Sequence, residues 1–564
     1  MTSNIELKVG DRVIALTDDL AGVTVNPGLL SRDEEAISAL RDAGIAVSAA
    51  LDFQPRVDGS GTYMNWIGDE WTSAQGTTLY ENTNPADVTH ILGNVPETAK
   101  SEVERACELA EAAFDEWRAS SGDFRTKAML RIGELMRDHL DGLCAIVTQE
   151  MGKSLYDSKL DLLEAIGVVE AVAPQGASMT GDTYQDLIKG LTMENRISPR
   201  GPAGIITPFN FPVAIPIAQI MAALVTGNTV VWKPSHLVPE SSQAIAHMVT
   251  HALQETAARW NVSVPKGVFS MVQGDADAGD TIVRHPVIRT ISFTGSKAVG
   301  DQVGALAESL GKCAMKECAG INLFYVHESA NIERAAKNFV YGKTITSGQR
   351  CTSIQEVLCD ESVYDAFVEA VLRWAPNVVT GPGGSAEITQ ADDSSDHFSL
   401  PPVVSKEQKK RFLSIVAESK KQGATVVYEQ DLPKAVERAG YFVPFTVLSD
   451  VDASNVLYST EIFGPCGVLT RVSGLSEAIR IINTKTGIVG CIDATDKDAS
   501  ETFINRVLRT RIDDGRHGTG CFWATKFGGD RGAGSGNPAL DEGMVDGYVI
   551  RKTIYRAYTP CDTE

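Results

Sequence analysis

One cysteine in the chain has the neighbours that a nucleophile needs. The stretch Thr346 to Ser353, TSGQRCTS, places Cys351 among small and hydroxyl residues. Small neighbours such as Gly348 let a ligand approach the backbone closely and leave the thiol uncovered. Free cysteines are also among the most buried residue types, so this pattern taken alone favours an inert packed thiol. Other stretches must decide between the two interpretations.

An amide and a carboxyl group elsewhere would suit acyl chemistry. Asn210 lies in TPFNFP, between aromatic and proline residues that restrict its backbone. A rigidly held amide is able to donate to a developing oxyanion, although this motif taken alone favours an ordinary turn asparagine. Glu317, in KECAGIN, follows a predicted strand or turn at Ala314 to Lys316. Burial of this carboxyl would raise its pKa toward neutrality, which suits a general base.

Two further strand ends carry residues that would suit a nucleotide. Lys233 ends an apolar run in VVWKPS, where it either reaches the surface or meets an anionic or polyhydroxyl ligand. In SFTGSKAVG, Gly295 and Ser296 open a predicted helix directly after a strand. The free N–H groups and the dipole of such a helix would seat a pyrophosphate. The stretch lacks the GxGxxG pattern, so this dinucleotide signal is only suggestive.

These candidates fall on a regular alternation of strands and helices. Between Gly201 and Gly311 the apolar runs AGIIT, TVVW, VFSMV and IRTISF are each followed by a segment of helical periodicity. This alternation predicts a parallel sheet buried on both faces by crossover helices. The ligand site is then expected at the carboxyl ends of the strands. A second alternating region, Met315 to Ala524, contains Cys351.

Composition excludes several classes of function. A chain of 564 residues is too long to fold around one hydrophobic core, so two or three domains are expected. The net charge of −22 argues against nucleic acid or an anionic membrane surface as a partner. The N-terminus does not read as a secretory signal, and no apolar run is long enough to span a bilayer, so a cytoplasmic location is expected. Ten cysteines without a CxxC pair or a His/Cys cluster predict neither a zinc site nor a disulfide framework.

The combination of motifs resembles the aldehyde dehydrogenase superfamily, from about Tyr63 to near the C-terminus. The spacing of Glu317 to Cys351 and that of Asn210 to Lys233 also agree with the family. The closing FGGDRGAGSGN and the GQRCTS context look most like branches that oxidise semialdehydes of amino acids or carboxylic acids. The matching stretches, in the family's order, are GPAGIITPFNFP, GNTVVWKPS, FTGSKAVG, KECAGIN, SGQRCTS, GYFVPFTVL, EIFGPCG and FGGDRGAGSG.

The resemblance implies an α/β fold. It would comprise a Rossmann-like parallel-sheet cofactor domain, an α/β catalytic domain and a small β oligomerisation element. The tail GYVIRKTIYRAY has β composition and is expected to add to another subunit's sheet, in a homodimer or homotetramer. The expected ranges are an N-terminal extension of unknown role over residues 1–60, the cofactor domain over 61–183 and 201–314, the catalytic domain over 315–535, and the oligomerisation element over 184–200 and 540–564.

The resemblance also implies roles for the candidate residues. Cys351 would attack an aldehyde as a thiolate, while Asn210 and the backbone N–H of Cys351 hold the oxyanion. Hydride transfer to NAD or NADP would leave a thioester, and Glu317 would activate the water that hydrolyses it. Arg350 either lowers the pKa of the neighbouring thiol or points away from it. The residues expected to bind the cofactor are Thr207, Pro208, Phe209, Lys233, Ser235, His236, Gly295, Ser296, Glu461 and Phe463.

The chain departs from the family pattern in two places. His236 stands where many NAD-preferring members carry a glutamate that binds ribose hydroxyls. A carboxylate there would repel a 2′-phosphate, so its loss permits NADP without requiring it. The residues after Glu317 are Cys-Ala-Gly-Ile, where the family usually has Leu-Gly-Gly-Lys, so local packing must differ.

Two alternatives to aldehyde oxidation with water remain open. One is an acylating dehydrogenase that passes the thioester to coenzyme A; such branches tend to lack the general-base glutamate, so Glu317 speaks against it. The other is a catalytically silent family member with a binding or structural role. Retention of Cys351, Asn210 and Glu317 together speaks against that second alternative. The expected partner is a small-molecule aldehyde, and no metal is expected.

Overall fold

The strands of the first half of the chain form one large sheet and several small ones. The computed structural model describes residues 5–9, 12–16, 53–76, 78–188, 190–318, 320–389, 396–520, 525, 527–530, 532–535 and 542–557. The first thirteen strands are β1 (Ile5–Val9), β2 (Arg12–Leu16), β3 (Asn65–Trp66), β4 (Trp71–Thr72), β5 (Leu79–Thr83), β6 (Ile91–Pro96), β7 (Thr183–Ile188), β8 (Leu191–Pro199), β9 (Ala203–Ile206), β10 (Val230–Lys233), β11 (Phe269–Met271), β12 (Thr290–Gly295) and β13 (Cys313–Cys318).

The large sheet has the order β13-β12-β9-β10-β11-β3-β4. Its neighbours from β13 to β11 are parallel, and β3 and β4 join antiparallel at one edge. The four apolar runs predicted as strands are confirmed as β9 to β12. Every residue of β9, β10 and β11 is buried, as expected of parallel strands covered by helices on both faces. β1 pairs antiparallel with β2, and β5 with β6.

Nine helices of the described first half pack on this sheet or beside it. Their apolar stripes face a core that includes the fully buried Trp117, Trp232 and Phe269. Burying a side chain the size of Phe269 contributes about 1.5–3 kcal/mol. The helices are α1 (Lys100–Ala119), α2 (Gly122–Asp138), α3 (Leu140–Met151), α4 (Leu155–Val172), α5 (Gln175–Ser178), α6 (Ala214–Val225), α7 (Pro239–Trp260), α8 (Ala276–Arg284) and α9 (Lys297–Ser309).

The second half of the chain forms another seven-stranded sheet, in the order β18-β19-β20-β15-β14-β21-β22. All its pairs are parallel except β18 with β19. Its strands, together with the small pair β16 and β17, are β14 (Asn322–Val326), β15 (Ile354–Asp360), β16 (Val378–Thr380), β17 (Phe398–Leu400), β18 (Thr425–Glu429), β19 (Thr446–Ser449), β20 (Cys466–Val472), β21 (Val489–Asp493) and β22 (Arg511–Asp514).

Helices again cover the faces of this second sheet. Separate apolar clusters lie against its two faces, one around Phe324 and Phe339 and another around Leu323 and Tyr325. The helices are α10 (Ile332–Thr344), α11 (Tyr364–Trp374), α12 (Ala386–Thr389), α13 (Lys406–Lys421), α14 (Lys434–Ala439), α15 (Val456–Ser459), α16 (Leu475–Thr484) and α17 (Lys497–Arg506), with 3₁₀ turns at Ile345–Gly348, Ala375–Asn377 and Glu542–Tyr548.

The C-terminal strand β23 (Val549–Ala557) belongs to a third sheet, of order β23-β8-β7. Its β composition is confirmed, and it pairs antiparallel with β8 of the same chain along its whole length, from Val549 opposite Pro199 to Ala557 opposite Leu191. The predicted partner was the sheet of another subunit. Hydrogen bonds to β8 thus occupy one edge of this strand.

The two large sheets take their strands from successive parts of the chain. The chain passes from the first sheet to the second between Cys318, the last residue of β13, and Asn322, the first residue of β14. Pairing of β13 with β12 therefore continues past the expected boundary at residue 314. Among the described residues, no helix combines the length and the apolar character that crossing a bilayer requires.

Candidate active site

One cavity of about 280 Å³ is lined by all three residues that the sequence predicted to take part in the reaction. Cys351, Asn210 and Glu317 all line it, although they come from segments far apart in the sequence. Six of the residues expected to bind the cofactor line the same cavity, namely Pro208, Phe209, Gly295, Ser296, Glu461 and Phe463. The cavity therefore joins the region expected to hold a nucleotide to the thiol.

A tight left-handed turn presents Cys351. The 3₁₀ turn Ile345–Gly348 precedes it, and the φ angle of Gly348 is +67°. A side chain at Gly348 would meet the carbonyl oxygen of Gly464 at 2.4 Å, so both the φ angle and the space require glycine. After the turn, the carbonyl oxygen of Cys351 accepts a 2.7 Å hydrogen bond from the amide of Asn322. The nucleophile is thus held from both sides.

The surroundings of Cys351 favour the protonated thiol at neutral pH. Burial first, and then the nearby carboxyl groups of Glu461, Glu317 and Glu164, together raise its pKa to about 12. Arg350 acts in the opposite direction but is the weakest of these influences. Attack by Cys351 therefore requires a base that removes the proton.

The side chain of Arg350 points away from the thiol and into the protein interior. Its guanidinium pairs with the buried carboxylate of Asp157 and donates a 2.7 Å hydrogen bond to the hydroxyl of Thr346. Of the two interpretations left open by the sequence, this geometry favours a structural role over direct activation of Cys351.

Asn210 reaches across to the turn that carries the nucleophile. Its buried amide nitrogen donates a 3.0 Å hydrogen bond to the carbonyl oxygen of Gln349. Gln349 is fixed in turn, because its side-chain oxygen accepts a hydrogen bond from the backbone N–H of Val404. An amide nitrogen carries two hydrogens, and Gln349 accounts for one of them. The second is the donor that an oxyanion would use.

Glu317 lies inside β13 and not after it, since pairing with β12 runs on to Cys318. Burial raises its pKa to about 8, opposed by a 2.6 Å hydrogen bond from the backbone N–H of Gly529. A pKa near 8 agrees with the expectation from the sequence and lets the carboxyl exchange a proton near neutral pH.

The N-terminus of α9 faces the cavity. Ser296 is its N-cap, and the serine hydroxyl accepts from the backbone N–H of Val299 at 3.4 Å. Gly295, the last residue of β12, and Ser296 both line the cavity. The N-terminal N–H groups of a helix this long favour an anion such as a pyrophosphate.

Four residues expected to bind the cofactor do not line this cavity: Thr207, Lys233, Ser235 and His236. Lys233 is buried at the end of β10, and its ammonium donates to the carbonyl oxygens of Pro234 at 2.9 Å and Gly274 at 3.1 Å. Burial lowers its pKa. The hydroxyl of Thr207 accepts from the indole of Trp232, and that of Ser235 accepts from a backbone N–H.

His236 has a carboxylate partner that the sequence did not reveal. Its Nδ1 lies 3.2 Å from Oδ1 of Asp275, at the start of α8, and its ring stacks on Tyr80 with centroids 4.8 Å apart. The hydrogen bond from His236 lowers the pKa of Asp275. A negative charge therefore lies beside the position where the family glutamate is missing.

Sequence reasoning missed five polar residues that line the cavity: Glu164, Gln219, Thr294, Gln408 and Arg411. Glu164 is the most distinctive, because burial and then the neighbouring Asp161 raise its pKa to about 8. A signal for it existed in SLYDSKLDLLEA, where Asp157, Asp161 and Glu164 recur at helical spacing beside apolar residues. Acids that share a face with apolar residues are placed to be buried.

Glu164 also lines a second cavity, of about 380 Å³. Three arginines, Arg137, Arg350 and Arg516, line this second cavity as well.

The residues around the cavity fit a nicotinamide cofactor. The side-chain oxygen of Gln219 is buried and meets no hydrogen-bond donor within the part of the chain that the structure describes, while its nitrogen donates to Thr294 at 2.7 Å. Both residues line the cavity beside Glu317. A carboxamide would satisfy the acceptor of Gln219, and the N-terminus of α9 would take a pyrophosphate.

Two seven-stranded α/β sheets, with the half-buried Cys351 in a cavity lined by residues that follow strands of both, define a two-sheet α/β enzyme fold. The chain belongs to the aldehyde dehydrogenase family, whose sequence model matches residues 71–554. No cluster of residues suited to a metal ion occurs among those the structure describes.

Characterised relatives cover nearly the whole chain. The chain is 30% identical over 497 residues to alpha-ketoglutaric semialdehyde dehydrogenase of Bacillus subtilis, which spans 88% of this chain and 98% of that protein. It is also 30% identical over 454 residues to malonate-semialdehyde dehydrogenase 2 of Bacillus thuringiensis, across 80% of this chain and 88% of the relative.

Solved structures share the fold. Betaine aldehyde dehydrogenase from Staphylococcus aureus, in complex with NAD+, superposes with a TM-score of 0.81 at 24% identity, over 89% of this chain and 95% of that one. A structure described as an NADP-dependent enzyme of Escherichia coli gives a TM-score of 0.80 at 25% identity, over 89% and 100%. The α/β fold predicted from the sequence is thereby confirmed.

Proposed function

We propose that this chain oxidises an aldehyde to a carboxylic acid with NAD or NADP, through a thiohemiacetal and a thioester on Cys351. The observation that carries the proposal is the meeting of Cys351, Asn210 and Glu317 in one cavity with the N-terminus of α9. A nucleophile, an oxyanion donor, a base and a pyrophosphate seat are the parts that this reaction needs.

The first step is the attack of the Cys351 sulfur on the aldehyde carbon. Because the resting thiol is protonated, a cavity carboxylate must take its proton, and Glu317, with a pKa of about 8, is suited to do so. The negative charge that develops on the aldehyde oxygen is met by the free N–H of the Asn210 amide and by the backbone N–H of Cys351.

Bound NAD or NADP supplies the hydride acceptor that converts the adduct to a thioester. Gln219 would orient the cofactor by accepting a hydrogen bond from its carboxamide. Glu317 first releases the thiol proton to solvent; it then takes a proton from water, and the resulting hydroxide attacks the thioester carbon. The carbon–sulfur bond breaks, the carboxylic acid leaves, and the Cys351 sulfur regains its proton from Glu317.

The substrate we propose is an aldehyde that carries a carboxylate. Two relatives at 30% identity are named as semialdehyde dehydrogenases whose aldehydes are derived from carboxylic acids. The guanidinium group of Arg516, in the second cavity, would attract such an anion. The raised pKa of Glu164 supports this choice, because a protonated carboxyl does not repel the substrate near neutral pH.

We also propose that the chain acts as a homodimer or homotetramer through the β23-β8-β7 sheet. Only Val549 of β23 is buried in the single chain, and Tyr555 is 65% exposed. A strand that exposes both faces in one chain is placed to pack against a second copy.

The test is the rate of reduced nicotinamide formation by the purified protein, with carboxylated, neutral aliphatic and aromatic aldehydes and with NAD or NADP. We expect turnover to be fastest with carboxylated semialdehydes. Cys351→Ala should abolish turnover but still bind the nucleotide. Cys313→Ala is the matched control, because Cys313 is a half-buried thiol outside the cavity.

Each alternative has its own signature in this assay. Turnover that requires coenzyme A and yields an acyl-CoA would show that the thioester is transferred to coenzyme A and is not hydrolysed. Nucleotide binding without turnover of any aldehyde would indicate a catalytically silent binding protein. Full activity in Cys351→Ala would contradict the proposed nucleophile.

A further inference from the structure

A set of buried charges lies directly behind the nucleophile. Helix α4 carries Asp157 and Asp161, one turn apart, and both are completely buried. Residues four apart share one face of a helix, so both carboxyl groups point the same way. Neither residue lines the cavity itself. Their contacts lead instead to the two segments that carry Cys351 and Asn210.

Asp157 holds the segment that ends at Cys351. Its two carboxylate oxygens accept hydrogen bonds from the hydroxyl of Thr346 and the guanidinium of Arg350. Arg350 also donates a 2.7 Å hydrogen bond to Thr346. One carboxylate therefore binds both Thr346, within the turn, and Arg350, directly before the nucleophile.

This turn depends on such contacts because its backbone is strained. Thr346, Ser347 and Gly348 have φ angles of +52°, +54° and +67°. Residues with a Cβ disfavour this left-handed region, and consecutive ones persist only where the surroundings hold them. Without Asp157 the turn has a reason to relax, and Cys351 would move with it.

Asp161 holds the segment that carries Asn210. Its Oδ1 accepts a 2.8 Å hydrogen bond from the backbone N–H of Ala214, the first residue of α6. Its Oδ2 forms a buried ion pair with Lys153 at 3.2 Å. Ala214 follows Asn210 by only four residues, so Asp161 caps the helix that anchors the amide.

A phenyl ring joins the two halves of the cluster. Phe211, next to Asn210, lies between the ammonium of Lys153, 4.4 Å from the ring centroid, and the guanidinium of Arg350, at 4.9 Å. Each of these cations is the partner of one aspartate. Cation–π contacts of this kind are stronger when they are shielded from water, as they are here.

We propose that Asp157 and Asp161 are positioning residues for the oxyanion site: Asp157 sets the turn that carries Cys351, and Asp161 sets the segment that carries Asn210. The inference rests on the proposed function of those two residues. Because both carboxylates project from one rigid helix, the separation between the two oxyanion donors is set before substrate binds. Such preorganisation is what makes hydrogen-bond donors effective in a transition state.

The first test compares alanine and asparagine variants of the two aspartates. We expect Asp157→Ala and Asp161→Ala to lower kcat by about 10- to 100-fold, with KM and nucleotide Kd within about threefold, as a small misplacement of reacting groups does. Asp161→Asn keeps one acceptor oxygen for Ala214 and should recover most of the loss. Thr346→Val should reproduce the loss of Asp157→Ala, whereas Thr346→Ser, which keeps the hydroxyl, should not.

Asp493→Ala is the matched control. Asp493 is also fully buried and pairs with an arginine, Arg334, through two hydrogen bonds of 2.8 and 2.9 Å. It lies at the end of β21, beside Val326, whereas Cys351 precedes the opposite end of the same sheet. It should lower the thermal midpoint as much as Asp157→Ala but leave kcat within about twofold of the native value.

Double variants separate positioning from general damage. If Asp161 acts through Asn210, then Asp161→Ala combined with Asn210→Ala should be no slower than Asn210→Ala alone. Asp157→Ala combined with Asn210→Ala should multiply the two losses, because Asp157 acts on Cys351. An equal loss of kcat in Asp157→Ala and Asp493→Ala, or multiplied losses in the Asp161 pair, would overturn the inference.

The outcomes also keep this inference apart from the proposed function. Turnover in Cys351→Ala would remove the proposed function itself. An inactive Cys351→Ala together with native kcat in the Thr346→Val and Asp161→Ala variants would leave that function standing and reject only the positioning role. If Asp157→Ala does not fold, comparing kcat of Thr346→Val and Thr346→Ser still tests the role of Asp157. If Asp161→Ala does not fold, comparing kcat of the folded fractions of Asp161→Asn and Asp161→Leu tests the role of Asp161.

Discussion

The side-chain amide of Asn210 donates a 3.0 Å hydrogen bond to the carbonyl oxygen of Gln349, two residues before Cys351. Asn210 follows a strand of the first sheet, and Gln349 precedes a strand of the second. This single contact ties the two sheets together at the point where the chemistry takes place. It also orients the amide, so that its second hydrogen is left for the substrate.

Loss of this amide should slow the reaction without weakening substrate binding. We expect Asn210→Ala to lower kcat by about 10²- to 10³-fold, because an oxyanion donor acts mainly in the transition state. KM and nucleotide Kd should stay within about threefold. Steady-state and single-turnover kinetics measure both quantities, with Asn455→Ala, a buried asparagine outside the cavity, as the control. An unchanged kcat would exclude Asn210 from the oxyanion site.

The pH dependence of turnover should report the ionisation of Glu317. Its pKa is raised to about 8, and only the carboxylate form accepts a proton, so kcat should rise with pH up to about 8 and then level. Glu317→Gln should lower kcat by about 10²- to 10⁴-fold and remove this rise. The measurement is kcat from pH 6 to 10 in constant ionic strength. A rise that persists in Glu317→Gln would assign the titration to another group.

Glu164 should make the binding of anionic aldehydes sensitive to pH. Its pKa is also about 8, so it is neutral below that pH and charged above it. We expect KM for a carboxylated aldehyde to increase above pH 8 by several-fold, through repulsion between like charges. KM for a neutral aldehyde of the same length should not change. In Glu164→Gln the increase in KM for the carboxylated aldehyde should be smaller than in the native protein, because only Glu317 and Glu461 still ionise in the cavity. An equal increase in both proteins would contradict the role of Glu164.

Gly348 should not tolerate a side chain. Gly348→Ala would place a Cβ 2.4 Å from the carbonyl oxygen of Gly464, at a φ angle of +67°. The backbone strain alone costs about 1–3 kcal/mol, so the free energy of unfolding should fall by at least this amount and the turnover of any folded protein should fall with it. Gly384→Ala is the control, since no atom lies within 4 Å of its Cβ position. Chemical denaturation of both variants tests this, and equal stabilities would contradict it.

The carboxylate of Asp275 should oppose the use of NADP. It lies 3.2 Å from His236, where many family members carry the glutamate that binds ribose. If the adenosine ribose binds here, Asp275→Asn should raise the ratio of kcat/KM for NADP to that for NAD by several-fold, because a negative charge beside a 2′-phosphate is removed. Asp277→Asn, an exposed neighbour in the same helix, is the control. An identical ratio in both variants would place the 2′ position elsewhere.

Much of the fold was predictable because its signals are local. The runs AGIIT, TVVW, VFSMV and IRTISF became β9 to β12, since a short apolar run between helical segments has few alternatives. The end of β13 was less predictable: pairing with β12 carries the strand through Glu317 to Cys318, although a charged residue inside a strand is not expected from propensity. For the tail, composition predicted a strand but not its partner, which is β8 of the same chain.

The candidate site likewise combines features predicted from the sequence with features that only the tertiary structure shows. Local sequence made Cys351, Asn210, Glu317 and Ser296 candidates, but single motifs such as that of Cys351 favoured a structural role, and their roles were assigned only because several motifs together resemble one family. Only the tertiary structure decided that Arg350 turns from the thiol to Asp157, that Glu164 borders two cavities and that Asp275 faces His236. Those relationships join residues far apart in the sequence. Their geometry is set by the packing of helices on two sheets, and no local pattern encodes it.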